Sequence, residues 1–329
     1  MTLRPNRIRQ LQSAVAPALA LLAGMELGLF THLASRSVSA SVLAAELGVA
    51  EDRLARLLDA LVVAGVLEFD RGSYRNGAEA NVFLAEGSPA DISGEHELLR
   101  LLWEADLKTA ASIRSGRPEA EHNFGQQDDE TAAAFQRGLL PSTRDFGREL
   151  ADAIDVPASG AVLDVGGGPA GALLSLAARY PDLQLTLLEL PAVARVVRPM
   201  LAGTEPSSRI RVEEANIVAA PSSSLHDLVI LKAVVQVLSA AEAAMAIRHC
   251  FMSLKPGGSI VIGGAGMLDD TLRSPAAAVF YNLTFMNLYR EGRSYPRASY
   301  LAWLAEAGFV RPRFVTLASG STILCAEKP

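Results

Sequence analysis

The ten residues from Val162 to Gly171 constrain this chain more than any other stretch. A short apolar run ends at Asp164-Val165, glycines follow at 166, 168 and 171, and Ala172-Leu173-Leu174-Ser175-Leu176-Ala177-Ala178 then favours helix. Strand, tight turn and helix in that order make a crossover unit, in which the glycines let backbone approach a ligand closely. Such a unit needs a parallel sheet around it and puts the ligand at the carboxyl edge of the strands.

Downstream of Gly160 the pattern supplies that sheet. Strands are predicted over 161–165, 185–189, 210–213, 227–232, 258–263, 308–316 and 321–326, with helices over 171–179, 191–201, 240–254 and 297–307. Alternation of this kind demands crossover connections and a mostly parallel sheet with helices on both faces. The last two strands are close enough to pair across Ser319-Gly320, so one edge is expected to be antiparallel. The predicted fold class is therefore α/β, with a Rossmann-like, mostly parallel sheet and an antiparallel C-terminal edge.

The front of the chain reads differently. Residues 10–34 look like one apolar helix. Ser39–Leu47 and Ala50–Ala64 are two shorter helices closed by Gly48 and Gly65, and Val66–Phe69, Asp70-Arg71-Gly72 and Ser73–Arg75 form a hairpin. Together they make a mostly helical winged-helix module. Its second helix carries Arg53 and Arg56, but also Glu51, Asp52 and Asp59, which a phosphate backbone would repel. Packing or dimerisation suits it better than reading DNA. Residues 93–118 and 131–154 are helical in pattern, joined by the polar stretch 118–130. The expected division is a winged-helix dimerisation domain over 1–92, a helical linker contributing to a substrate pocket over 93–150, and a cofactor-binding catalytic domain over 151–329.

With 50% hydrophobic and 20% charged residues, the 329-residue chain has ample material for a core, and its net charge of −6 gives nucleic acid no general attraction. Cys250 and Cys325 stand in apolar surroundings as small core residues, and no Cys/His spacing suggests a metal site. Arg4, Arg7 and Arg9 ahead of the apolar run Ala14–Met25 imitate a secretion signal, but the helical pattern continues through Glu26 without a cleavage point. No run reaches the ~18 apolar residues of a membrane span. A cytoplasmic protein with no membrane partner is expected.

After the glycine loop, Glu189 ends the next predicted strand, 23 positions beyond Gly166, where an acid can hold both hydroxyls of a ribose. The following strands end at Glu214-Ala215-Asn216-Ile217 and at Ile230-Leu231-Lys232, so four loops converge on one sheet edge. A glycine turn is shared by nicotinamide, flavin and sulfonium enzymes. Pro169, which lacks the N–H a pyrophosphate would use, favours the sulfonium, S-adenosyl-L-methionine, and the turn Lys255-Pro256-Gly257-Gly258 before the fifth strand resembles one in folds that bind it.

These motifs make the chain resemble the class I methyltransferases, and within them the small-molecule O-methyltransferases of plants and bacterial natural-product pathways. The resemblance runs through the winged-helix front, LDVGGGPAG at 163–171, Glu189–Pro191, LKAVVQVLSAAEA at 231–243, LKPGG at 254–258 and AGF at 307–309. It implies S-adenosylmethionine as cofactor and a homodimer built by the N-terminal module. By position, Gly166, Gly168 and Gly171 line the methionine part, Glu189 binds the ribose, Asn216 and Ile217 sit by the adenine and Lys232 closes the adenine side, with Asp164 and Leu190 as further cofactor-binding residues. The family usually has Asp at the positions of Glu189 and Asn216.

The resemblance breaks at the reacting centre. Methyl transfer needs alignment, exclusion of water and a nucleophilic acceptor, and a phenol of pKa about 10 is helped by a base. In the family that base is a His after the fourth strand, and an acid supports it after the fifth. Here Gln236 and Gly264 hold those places, and an amide cannot take a proton. Three readings stay open. The acceptor needs no protein base, or His96 or His122 serves, or the bound sulfonium supports non-methylating chemistry such as decarboxylation, hydroxylation or a pericyclic step. The substrate wall is expected from Trp103, Phe146, Tyr281, Asn282, Phe285 and Met286, which suit a flat aromatic or polyketide-like molecule. His226 and His249 read as structural.

Overall fold

The computed structural model describes residues 3–88, 90–125, 127–202, 207–264 and 266–329. The chain divides into two compact units, Met1–Arg100 and Leu101–Pro329. In the first, the single helix expected over 10–34 is three: α1 (Asn6–Ser13), α2 (Val15–Glu26) and α3 (Leu29–His32). Gly28, at φ +61°, breaks the run between the last two. α4 (Ala40–Leu47) is capped by the Ser39 hydroxyl, which accepts from the Val42 N–H, and α5 (Glu51–Val63) follows. The wing is β1 (Leu67–Asp70) paired with β2 (Ser73–Asn76).

Leu29, Phe30, Leu33, Leu43, Leu54, Leu58 and Leu61 fill this core. The wing is tied down by polar contacts: the Tyr74 hydroxyl donates to Asp59, 2.8 Å, and the Asn76 amide donates to the Phe30 carbonyl, 2.8 Å. Arg53 and Arg56 both lie 3.7 Å from Asp52, so the helix a DNA reader would use has its cations beside a carboxylate. α6 (Ala78–Phe83) and α7 (His96–Asp106) complete the front.

In the second unit α8 (Thr109–Ser115) and the 25-residue α9 (Asp129–Ala153) lead into a seven-stranded sheet. Its strands are β3 (Ser159–Val165), β4 (Asp182–Glu189), β5 (Ile210–Glu214), β6 (His226–Lys232), β7 (Leu254–Gly263), β10 (Val310–Thr316) and β11 (Thr322–Glu327). α10 (Gly171–Arg179), α11 (Pro191–Leu201), α12 (Ala240–Met252) and α14 (Arg297–Ala307) cover them. A parallel two-stranded sheet, β8 (Met267–Leu268) with β9 (Tyr295–Pro296), flanks α13 (Ala276–Leu288).

The strand order is β10-β11-β7-β6-β3-β4-β5, parallel from β7 to β5 and antiparallel where β11 meets β7 and β10. This is the predicted mostly parallel sheet with an antiparallel C-terminal edge. The order reverses at β3, so the crevice opens above its carboxyl end. Lys255–Gly258, expected as a turn, is a bulge inside β7. His226 pairs with Leu254 and Leu228 already with Ser259, so the intervening residues loop out of register.

Alternation along β3 splits the core. Val162 faces Leu173, Leu176 and Val197 on one side, and Leu163 faces Ile247 and Leu304 on the other. α9 and α10 meet backbone to backbone. A Cβ on Gly171 would stand 2.7 Å from the Arg144 amide nitrogen, with the Thr143 hydroxyl nearer still. Gly171 thus has a packing duty, bringing α9 onto the first turn of the helix that follows the loop.

Candidate active site

The loop Gly166–Ala170 leaves β3 at the switch point. The Gly166 N–H donates to the Leu188 carbonyl, 2.8 Å, which fastens the loop to β4, and Val234 covers Gly166. Gly168 takes φ +56°, a conformation that suits glycine. Its N–H donates to Glu189 Oε1, 2.8 Å, and the Leu190 N–H donates to Oε2 of the same carboxylate, 3.0 Å. A carboxylate has about four acceptor sites. Two are in use, and two are left for the two hydroxyls of a ribose.

Asp164 lies under the loop, 1% exposed, with its carboxyl against Gly167 and Oδ1 lacking any hydrogen-bond partner. Burial pushes this group up to about 7, the nearby Glu189 adds to the rise and Lys232 opposes it. Burial likewise lifts Glu189 to about 7 against the pull of its two N–H donors. A buried carboxyl with an unpartnered oxygen under a loop of bare backbone is suited to a cationic ligand, which would favour its ionised form. The sulfonium cofactor implied by the sequence fits that demand.

The other expected cofactor residues fall around the same edge. The Ala215 N–H donates to the Glu189 carbonyl, 2.9 Å, which brings the β5 loop beside the acid. Asn216 there is exposed and its Oδ1 accepts from the Val218 N–H, 2.9 Å. Ile217 is 5% exposed and packs into the core face of α12, its carbonyl accepting from His249 Nδ1, 2.7 Å. Lys232 leans over the Phe146 ring, 5.5 Å from its centroid, and its charge acts on Asp164.

Gln236 occupies a short 3-10 turn after β6, 8% exposed. A Cβ on Gly264 would come 3.1 Å from its Oε1, and one on Gly266 would come 2.9 Å from its Cβ and 3.4 Å from Phe285. The two positions paired in the sequence reading therefore meet in space, and what meets there is an amide and a glycine.

The expected substrate wall is only partly one surface. Tyr281 stacks on Phe285, centroids 5.9 Å apart, and Phe285 continues to Tyr289 at 6.1 Å. Asn282 is engaged elsewhere, accepting from the Ser294 N–H at 2.9 Å. Met286 and Trp103 are half-buried. Phe146 is 6% exposed and packs with Gly263 and Ile323, beneath Lys232.

Of the two alternative histidines, His122 makes a poor base. His96 is bonded through Nδ1 to the Ser93 carbonyl, 2.8 Å. His122 is packed against Phe124 and Phe135, both 4.4 Å between centroids, and burial drives it down to about 4, about 6 units below a phenol. His226 Nδ1 faces the Ser253 carbonyl, 3.3 Å.

Sequence reasoning did not find Gln136. It lies on α9, 3% exposed, with Oε1 unpartnered and 2.7 Å from where a Cβ would stand on Gly168. A lone amide on an otherwise apolar helix face was the available signal. Among the described residues no group of three His, Cys, Asp or Glu could hold a metal ion, and no helix is long and apolar enough to cross a membrane.

Fold and loop define a Rossmann-like enzyme built around a cationic nucleoside ligand. Residues 109–310 match the O-methyltransferase domain and residues 10–86 the O-methyltransferase dimerisation domain. The chain belongs to the O-methyltransferase family, enzymes dependent on S-adenosylmethionine. It is similar to a 3-hydroxy-5-methyl-1-naphthoate 3-O-methyltransferase of Streptomyces sahachiroi, 27% identical over 96% of this chain and 92% of that one. An aclacinomycin 10-hydroxylase of Streptomyces purpurascens is 31% identical over 78% of this chain and 71% of its own. Human N-acetylserotonin methyltransferase, solved in complex with SAM, shares the fold with a TM-score of 0.85 at 22% identity, covering 100% of this chain and 99% of that chain.

Proposed function

We propose that this enzyme methylates a hydroxyl of a small aromatic or polyketide-like metabolite, one acidic enough to ionise without a protein base. The observation that carries the reading is the pairing of Gln236 with Gly264, which leaves no proton acceptor where the family has one. S-adenosylmethionine supplies a methyl group already activated by its positive sulfur. Gly166 and Gly168 bring bare backbone to its amino-acid part while Gly171 packs α9 against the same loop, Asp164 lies beneath, Glu189 takes the ribose with Leu190 beside it, and Asn216 borders the adenine. Lys232, held over Phe146, steadies the buried Asp164. Tyr281, Phe285 and Met286 give the acceptor an apolar wall. Gln236 orients it as donor and acceptor.

Under this reading the pH profile of kcat/KM follows the ionisation of the acceptor, shifting when a phenol of different pKa is supplied. Gln236→His should raise turnover of ordinary phenols by about tenfold or more, within the range of general-base assistance. If rates on weakly acidic phenols stay unchanged, position 236 is not at the reacting centre.

A second reading is favoured by one observation, the 31% identity to a hydroxylase. There the cofactor would bind and survive turnover. Mass analysis decides between them: S-adenosylhomocysteine accumulating one-for-one with a product heavier by a methylene supports methyl transfer, and intact cofactor beside an altered acceptor supports the other.

The dimerisation match also has a physical counterpart. Ile8, Leu11, Val15 and Leu19 are all about half exposed or more and recur at helical spacing along α1 and α2, a stripe that a second copy of the chain would cover. Sedimentation equilibrium should return about twice the chain mass, and Leu11→Glu with Val15→Glu should return the monomer.

A further inference from the structure

The buried oxygen of Gln136 has no hydrogen-bond partner and no part in the function proposed above. It belongs to a side chain that is 97% buried on the inward face of α9 and is pressed against Gly168. One residue along the loop, Asp164 presents a second buried, unpartnered oxygen beside Gly167. Native interiors leave few such acceptors unsatisfied, and each one left calls for an explanation such as a bound water or ion. Two acceptors beside adjacent residues of one loop ask for a donor with more than one N–H. One of the two is a carboxyl flanked by Glu189, so the donor should be cationic. If the loop holds S-adenosylmethionine, the α-ammonium of its amino-acid part is the group with three N–H bonds and a full charge; the ribose hydroxyls are already matched by the free lone pairs of Glu189.

We propose that Gln136 Oε1, together with Asp164 Oδ1, receives the α-ammonium of the cofactor, so that α9 as well as the sheet reads the amino-acid end of the ligand. Gln136 is then a binding residue contributed by the helix ahead of the sheet.

The test compares S-adenosylhomocysteine with 5′-methylthioadenosine, which keeps the adenosine and thioether but lacks the amino acid. Titration calorimetry on Gln136→Met should show S-adenosylhomocysteine weakened by about tenfold or more, as expected for a lost hydrogen bond to a charged group, with methylthioadenosine changed less than about twofold on the same reasoning. Gln136→Glu keeps an acceptor oxygen and should bind S-adenosylhomocysteine at least as tightly as the wild type, which also guards against a Met variant that fails to fold. Equal weakening of both ligands would assign Gln136 to the shape of the loop and overturn the proposal, as would no weakening of either. A wild-type protein that ignores both ligands would instead overturn the cofactor assignment, and this inference with it.

Discussion

Glu189→Ala should cost this enzyme about a thousandfold in affinity for S-adenosylhomocysteine. Each hydrogen bond between a ribose hydroxyl and a charged acceptor contributes about 1.5–3 kcal/mol, and two of them near 2 kcal/mol come to about three decades. The substitution has a further cost. Glu189 Oε1 and Oε2 close the N–H groups of Gly168 and Leu190 at 2.8 and 3.0 Å, and truncation leaves both donors without those partners in a site that is 94% enclosed around the side chain. Methylthioadenosine, which keeps the ribose, should weaken in parallel. That parallel loss distinguishes Glu189 from Gln136, whose removal spares the truncated ligand. Calorimetric affinities within about threefold of wild type, measured on a folded variant, would refute the ribose assignment.

Cofactor affinity should also climb about tenfold per pH unit between pH 5 and 7 and then level off, the slope expected when one proton leaves on binding. Asp164 and Glu189 are both raised to about 7, by burial first, and Lys232 is the cation that faces Asp164. Free protein in this range therefore holds protons on the pair. A cationic ligand favours the ionised carboxyls, lowers their pKa and expels a proton.

The sign for stability is the opposite. A folded carboxyl raised above its unfolded value contributes stability that is complete below about pH 4 and lost as the pH rises through about 7. The free enzyme should accordingly lose melting temperature across that window through this pair, and saturating cofactor should restore it. Proton release shows directly as a dependence of the binding enthalpy on the buffer used. An affinity constant from pH 5.5 to 8, with no such dependence, would show that the pair stays ionised in the free protein.

Much of the fold was legible because its signals are local. The inner strands of the parallel sheet contain short apolar runs stopped by Gly, an acid or Lys, as in Val162–Val165 and Leu228–Lys232, and parallel strands buried on both faces have to read that way. Gly28 was legible as a residue but not as a break, since glycine inside an apolar run is tolerated in helices too. At the site, the loop and Glu189 announce themselves because backbone geometry dictates them. The direction of a side chain is not written in spacing. Ile217 points into the core face of α12, Phe146 under Lys232, and Asn282 to the Ser294 N–H; each is set by which neighbour packs against it. Gln136 was hidden for the same reason, because its inward orientation follows from the contact of α9 with Gly171.

That contact has a consequence for how such enzymes diversify. α9 lies ahead of the sheet in sequence, yet the absent side chain at Gly171 welds it to α10 and places Gln136 on the glycine loop. Recombination that exchanges front halves between relatives should therefore keep α9 with the sheet. A junction inside α9 would divide the floor of the cleft between two parents that never coevolved.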